Sequence, residues 1–117
     1  MPRPERQYLQ DIVEACAAIQ RFVLGFDRER FIGDDLVRSA VAYKLLIIGE
    51  AASHLASVRE RNPEIAWDEI VGFRVILAHV YFGLTWGRVW KTATESIPRL
   101  RDDVRQIIEQ GAEQEDR

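Results

Sequence analysis

Residues 34–63 read DDLVRSAVAYKLLIIGEAASHLASVRERNP, and this stretch decides the fold. Its apolar residues recur at three- and four-residue spacing, which predicts one long helix from about Asp35 to Arg61. Pro63 marks its end, because proline cannot continue a helix and restricts the residue before it. The apolar positions cover more than one face, so the helix needs two packing partners. One is the core of the monomer, and the second is expected to be another subunit.

The sequence before this helix is also helical in pattern. Apolar residues from Leu9 to Val23 form the stripe of an amphipathic helix, which Gly25 is expected to end. Asp27 is a good N-cap for a short helical turn that Gly33 would end. The connection into the long helix is therefore expected to be short.

The sequence after Pro63 continues the pattern. A third helix is expected over about 67–79, a fourth after an N-cap at Thr85, and a last one from the Ser96 and Pro98 region. No segment alternates with a period of two, so no sheet is expected. The fold class is therefore predicted to be all-α, an up-and-down bundle of four to five helices.

Composition restricts the function classes. The chain has 117 residues, a net charge of −3 and a single cysteine, Cys16. That charge argues against a broad nucleic-acid-coating surface but allows a small basic site. One cysteine excludes an intrachain disulfide and a cysteine metal cluster, and fits a cytoplasmic location. No apolar run is long enough for a membrane helix. A single domain over 1–110 and a disordered tail over 111–117 are expected.

The segment 72–83, GFRVILAHVYFG, holds the candidate chemistry, because it places Arg74, His79 and Tyr81 within eight residues. Residues five apart on a helix point about 140° away from each other. Arg74 and His79 of one chain are therefore poor neighbours and would meet best near a two-fold axis. Such a pair suits metal-free RNA cleavage, with His79 transferring protons and Arg74 neutralising charge on the phosphorane. An ordinary helix-end cap and salt bridge is the alternative.

Glu50 lies inside an apolar stretch of the long helix. A buried carboxylate needs a partner. In one interpretation Glu50 supports the site by orienting Arg74 or His79. In the other it pairs with His54, four residues further along the same helix face.

The spacing Arg74-x4-His79-x-Tyr81 resembles the signature of the HEPN superfamily, specifically of the HepT-like toxins. An arginine and a histidine at this spacing are weak evidence alone. The resemblance extends over nearly the whole chain in an ordered set of further segments: Gly49-Glu50-Ala51, Pro63-Glu64-Ile65-x-Trp67, Tyr81-Phe82-Gly83 and Val89-Trp90.

The resemblance implies a homodimeric bundle whose ribonuclease site, with Arg74 and His79 catalytic, forms across the dimer cleft without metal or cofactor. The expected substrate is tRNA or mRNA. The resemblance also implies an MntA-like minimal nucleotidyltransferase as antitoxin in a type VII-like toxin–antitoxin system. That partner would transfer AMP to Tyr81 and so silence the toxin.

Two positions depart from the family pattern. Val75 stands where a polar residue is common, and Val80 stands where glycine is common. Val75 removes a hydrogen-bonding group beside Arg74, and Val80 crowds the turn before Tyr81. The alternative function is therefore a non-catalytic helical partner and substrate of a nucleotidyltransferase. A third is a nucleotide- or nucleic-acid-binding dimerisation module without turnover.

Overall fold

The computed structural model describes residues 3–76, 78 and 85–115, with side chains as far as Gly111. Within these ranges the chain is helical and contains no strand, so the all-α prediction is confirmed. No helix in the described part is long and apolar enough to cross a membrane. The elements are α1 Glu5–Val23, α2 Arg28–Gly33, α3 Asp35–Ser53, α4 Ala56–Arg61, α5 Trp67–Gly72, a 3-10 turn Phe73–Val75, α6 Trp86–Lys91, a π-helical turn Thr92–Ser96 and α7 Ile97–Glu115.

The three longest helices form the core. Helix α1 packs against both α3 and α7, so its apolar stripe is covered from two sides. Full burial of one such aliphatic side chain contributes about 1.5–3 kcal/mol to stability. The completely buried side chains of these helices are Ile12, Cys16, Ile19, Val41, Ala42, Leu45, Ile48, Ala52, Ile97 and Val104.

The short connections before α3 follow the predicted turn chemistry. Gly25 has a φ of +81°, a left-handed conformation that glycine adopts without steric cost. The Asp27 carboxylate accepts a hydrogen bond from the Arg30 backbone N–H at 2.8 Å. Asp34 caps α3 in the same way through the Val37 N–H at 2.9 Å. The predicted end at Gly25 and cap at Asp27 are confirmed.

The prediction of one helix from Asp35 to Arg61 is wrong, because α3 ends at Ser53 and α4 begins at Ala56. The His54 and Leu55 N–H groups donate to carbonyls three residues back, which tightens the last turn of α3. The change of direction allows Leu55 and Val58 to be completely buried. No glycine or proline marks this break, so the apolar pattern conceals it.

The last part of the fold is a continuous helical rod rather than two separate helices. Helix α6 passes through the π-helical turn Thr92–Ser96 directly into α7. Pro98 lacks an N–H, and its ring crowds the carbonyl four residues earlier, at Thr94. A wider i→i+5 turn at that point accommodates the proline without ending the helix. Helix α7 continues to Glu115, and the disordered tail over 111–117 stays a prediction.

The one cysteine is a structural thiol. Cys16 is completely buried in α1, and burial raises the pKa of its thiol to about 12. At pH 8 its thiolate fraction is then roughly a thousandfold lower than that of an ordinary thiol. We expect the native protein to react with Ellman's reagent at least that much more slowly than the denatured chain. A rapid reaction of the native protein at this pH would show that Cys16 is accessible.

Candidate active site

Helix α5 and the 3-10 turn after it carry the first candidate residue. Trp67 begins α5 and is held in place by a hydrogen bond from its indole N–H to the Asn62 carbonyl at 2.9 Å. Trp67, Ile70 and Phe73 are buried, which fixes α5 and the turn on α3. The helix tightens at Phe73–Val75, and Arg74 lies on the exposed side of that turn.

The turn lies directly on the backbone of α3 at Gly49. A Cβ atom added at Gly49 would contact the Arg74 backbone nitrogen and lie 3.0 Å from both the Phe73 carbonyl carbon and the Val71 oxygen. These are backbone atoms, which cannot rotate away as a side chain can. Only glycine therefore allows this approach, which holds the Arg74 backbone against α3.

The contact between Gly49 and the backbone of Arg74 could not be predicted from their separation in the sequence. The available signal is a glycine in the middle of an apolar helix, where it costs roughly 1 kcal/mol relative to alanine. Such a glycine indicates close packing of another backbone.

The guanidinium group of Arg74 is available to a ligand. Its side chain is exposed, and no described residue forms an ion pair or hydrogen bond with its guanidinium. Val75 beside it is 42% exposed, an apolar surface next to the positive charge. A guanidinium without a protein partner can bind the two oxygens of a phosphate group in a bidentate manner.

The other two motif residues, His79 and Tyr81, lie outside the described residues, as does Val80. Their juxtaposition with Arg74, within one chain or between two, stays a prediction.

Glu50 is not buried, contrary to expectation, because its side chain is 61% exposed. Its Oε1 lies 3.5 Å from Nε2 of His54, which is the local pair proposed as the second interpretation. The His54 ring also stacks on Tyr8 with centroids 4.8 Å apart. No hydrogen bond or ion pair joins Glu50 to Arg74 in the described part of the monomer, and its supporting role toward Arg74 or His79 stays a prediction.

The described residues contain no cluster of three or more histidine, cysteine or acidic side chains that could hold a metal ion. Two tryptophans of α6 are packed against the fold rather than presented to solvent as a stacking surface for bases. Trp86 and Trp90 lie against Phe31 with centroids 6.4 and 5.3 Å away. Arg38 covers the Trp86 ring at 4.9 Å. Their role is therefore to join α2 and α6.

Comparisons with known proteins agree with the sequence motif. A family model described as "Ribonuclease HepT-like" matches residues 12–107. No solved structure gives a significant match.

Three relatives match over most of both chains. "Putative RNase MJ1380" of Methanocaldococcus jannaschii is 36% identical over 103 residues, covering 87% of this chain and 94% of its own. "Putative RNase TTE0752" of Caldanaerobacter subterraneus is 36% identical, covering 92% and 95%. "Probable ribonuclease HepT" of Thermococcus cleftensis is 39% identical, covering 86% and 93%. The family match and these identities confirm the resemblance: this chain belongs to the ribonuclease HepT-like family.

Proposed function

We propose that the protein is a metal-independent endoribonuclease, the toxin of a type VII-like toxin–antitoxin pair. The family assignment supports the ribonuclease class of this proposal. The main structural support for the proposed site is the position of Arg74. It is an exposed cation without a described partner, on a turn that Gly49 holds against α3.

The proposed reaction needs one proton-transfer group and one fixed positive charge. His79 accepts the proton of a ribose 2′-hydroxyl, whose oxygen attacks the adjacent phosphorus. The bond from phosphorus to the 5′-oxygen breaks, and the imidazolium of His79 returns a proton to that oxygen as it leaves. Arg74 stabilises the negative charge on the pentacoordinate phosphorane through charge-assisted hydrogen bonds. The products are a 2′,3′-cyclic phosphate and a 5′-hydroxyl end.

A homodimer is part of the proposal, and an exposed apolar stripe on α3 supports it. Leu36 is 80% and Tyr43 is 55% exposed. Ala40 lies between them and Ile47 beyond them, so that the four residues recur at three- and four-residue spacing, and both are half-buried. This stripe is the second face of α3, which the monomer covers only in part. A second copy would cover it and could bring Arg74 of one protomer toward His79 of the other.

We further propose that an MntA-like minimal nucleotidyltransferase neutralises the toxin by transferring AMP to Tyr81. Tyr81 is two residues from His79 and seven from Arg74 in the chain. An adenylate at this position would bring a phosphate to the arginine that should bind the substrate phosphate. Modification and substrate would therefore compete for the same cation.

The alternative function is a non-catalytic helical partner and substrate of the nucleotidyltransferase. Val75 favours it, because an exposed valine beside Arg74 provides no hydrogen bond that could orient the guanidinium or the RNA.

Cleavage of tRNA and mRNA by purified, unmodified protein in EDTA tests the proposal. The absence of the antitoxin and an unmodified mass at Tyr81 must be confirmed first, because adenylation would mimic an inactive enzyme. We expect the wild type to leave cyclic phosphate ends and His79→Ala to cut at least 10²-fold more slowly, since general acid–base catalysis contributes about 10²–10⁴-fold. Equal inactivity of both proteins would favour the non-catalytic alternative.

A further inference from the structure

A groove outside the motif segment contains three cations. It lies between α5 and the rod formed by α6, the π-helical turn and α7, and has a volume of about 360 Å³. Arg88 and Lys91 come from α6, and Arg99 comes from the first turn of α7. We call this the α5–α6 groove.

The cations of the α5–α6 groove have no partners among the described residues. Ion pairs elsewhere involve Arg3, Arg38 and Arg61, whereas none includes Arg88, Lys91 or Arg99. All three are exposed. Their charges are therefore available to a ligand.

Hydroxyl groups lie beside these cations. The Thr92 hydroxyl donates its proton to the Arg88 carbonyl at 3.0 Å, so it would have to release that bond before donating to a phosphate. The Ser96 hydroxyl has no described partner and can donate. Cationic side chains together with serine or threonine hydroxyls are the groups that commonly contact nucleic-acid phosphates.

The π-helical turn forms one wall of the groove by contributing Thr92, Glu95 and Ser96. Such turns are rare and occur frequently at functional sites. The groove also adjoins a second cleft, and Glu69, Ser96 and Arg99 line both. Phe73, which precedes Arg74, lines that cleft. Through this second cleft, the groove is near the turn Phe73–Val75, although Arg74 itself lines neither.

We propose that the α5–α6 groove binds backbone phosphates of the RNA substrate on one side of the scissile bond. This inference rests on the proposed ribonuclease function and extends its site beyond Arg74. Glu69 and Glu95 also line the groove and partly offset its charge. A contact to phosphates is independent of base sequence and sensitive to salt. Because the two carboxylates weaken it, the RNA is readily released.

The test measures RNA binding without cleavage, in the His79→Ala background, with a labelled single-stranded RNA at several salt concentrations. Neutralising two cations with Lys91→Gln and Arg99→Gln is expected to weaken binding. The slope of log affinity against log salt should fall by about 1.4, because each phosphate contact on a single strand contributes about 0.7. Glu95→Gln should strengthen binding, because it removes a repulsive carboxylate from the same wall.

Arg105→Gln is the matched control, since Arg105 is an exposed arginine on α7 that does not line the groove. It should leave the salt slope at the value of the His79→Ala parent. Equal slopes for the double variant and Arg105→Gln would overturn the proposal. The double variant could also keep the parent's salt slope for RNA binding but lose binding to an acidic protein. That result would overturn the proposal and assign the groove to a protein partner.

The two proposals fail in different ways. If the groove proposal alone is wrong, the protein with His79 intact still cuts RNA, and the Lys91 and Arg99 substitutions leave both cutting and binding unchanged. If the ribonuclease function is wrong, the unsubstituted protein does not cut at all. Absence of RNA binding by the His79→Ala parent would overturn the groove proposal directly.

Discussion

Replacing Arg74 with alanine is expected to slow RNA cleavage by about 10²–10³-fold, the effect typical of removing one preorganised donor to a developing oxyanion. Arg74 is exposed and has no described partner, so its loss removes a phosphate contact without disturbing the core. Single-turnover cleavage in EDTA measures the chemical step. Arg74→Lys should recover only part of the rate, because lysine keeps the charge but loses the planar bidentate geometry.

Arg105→Ala is the control for nonspecific loss of charge, since it removes another exposed arginine, on α7. We expect it to cut at the wild-type rate and Arg74→Ala to keep the wild-type melting temperature. Wild-type cleavage by Arg74→Ala would remove this residue from the mechanism. A large drop in its melting temperature would make it a structural residue instead.

Gly49→Ala is the second substitution with a large expected effect. The added methyl group would contact backbone atoms of Phe73 and Arg74 that cannot move independently of the turn. Overpacking of this kind costs about 1–3 kcal/mol in the free energy of unfolding. Relief requires the 3-10 turn to move away from α3, which displaces Arg74, so cleavage should fall as well. Denaturant unfolding and cleavage rates measure the two effects.

Gly72→Ala provides the matched control, because it makes the same change two residues before Arg74. A Cβ at Gly72 would meet nothing within 4 Å, and its φ of −62° suits any residue. This variant should be as stable as the wild type or more stable by up to about 1 kcal/mol. Equal stabilities of the Gly49 and Gly72 variants would contradict the close approach of the turn to α3.

Local chemistry made much of the fold predictable. The left-handed Gly25 and the Asp27 cap follow from residue type, and the all-α class follows from apolar spacing. The break at His54 could not be predicted, because it has no proline or glycine and depends on packing of Leu55 into the core. A similar limit applies to the π-helical turn, where Pro98 indicates a helix start rather than a bulge.

The candidate site was predictable in its residue types but not in its packing. The motif identifies Arg74, whereas the contact between its turn and Gly49 joins residues 25 positions apart. Glu50 was expected to be buried because its sequence neighbours are apolar, but neighbours in sequence point to different faces of a helix. The groove cations are spread along a stripe that also contains acids, so they form no recognisable sequence motif.

The π-helical turn also sets the rotational phase between the two ends of the rod. Each residue of an α-helix advances the direction of the side chains by about 100°. Deleting one residue within Thr92–Ser96 would regularise the helix but turn α6 by about that angle relative to α7. Val89 on one side and Leu100 on the other could then not both face the core. Length in this segment is thus constrained more strictly than residue identity, and homologous chains should tolerate substitutions there far better than deletions.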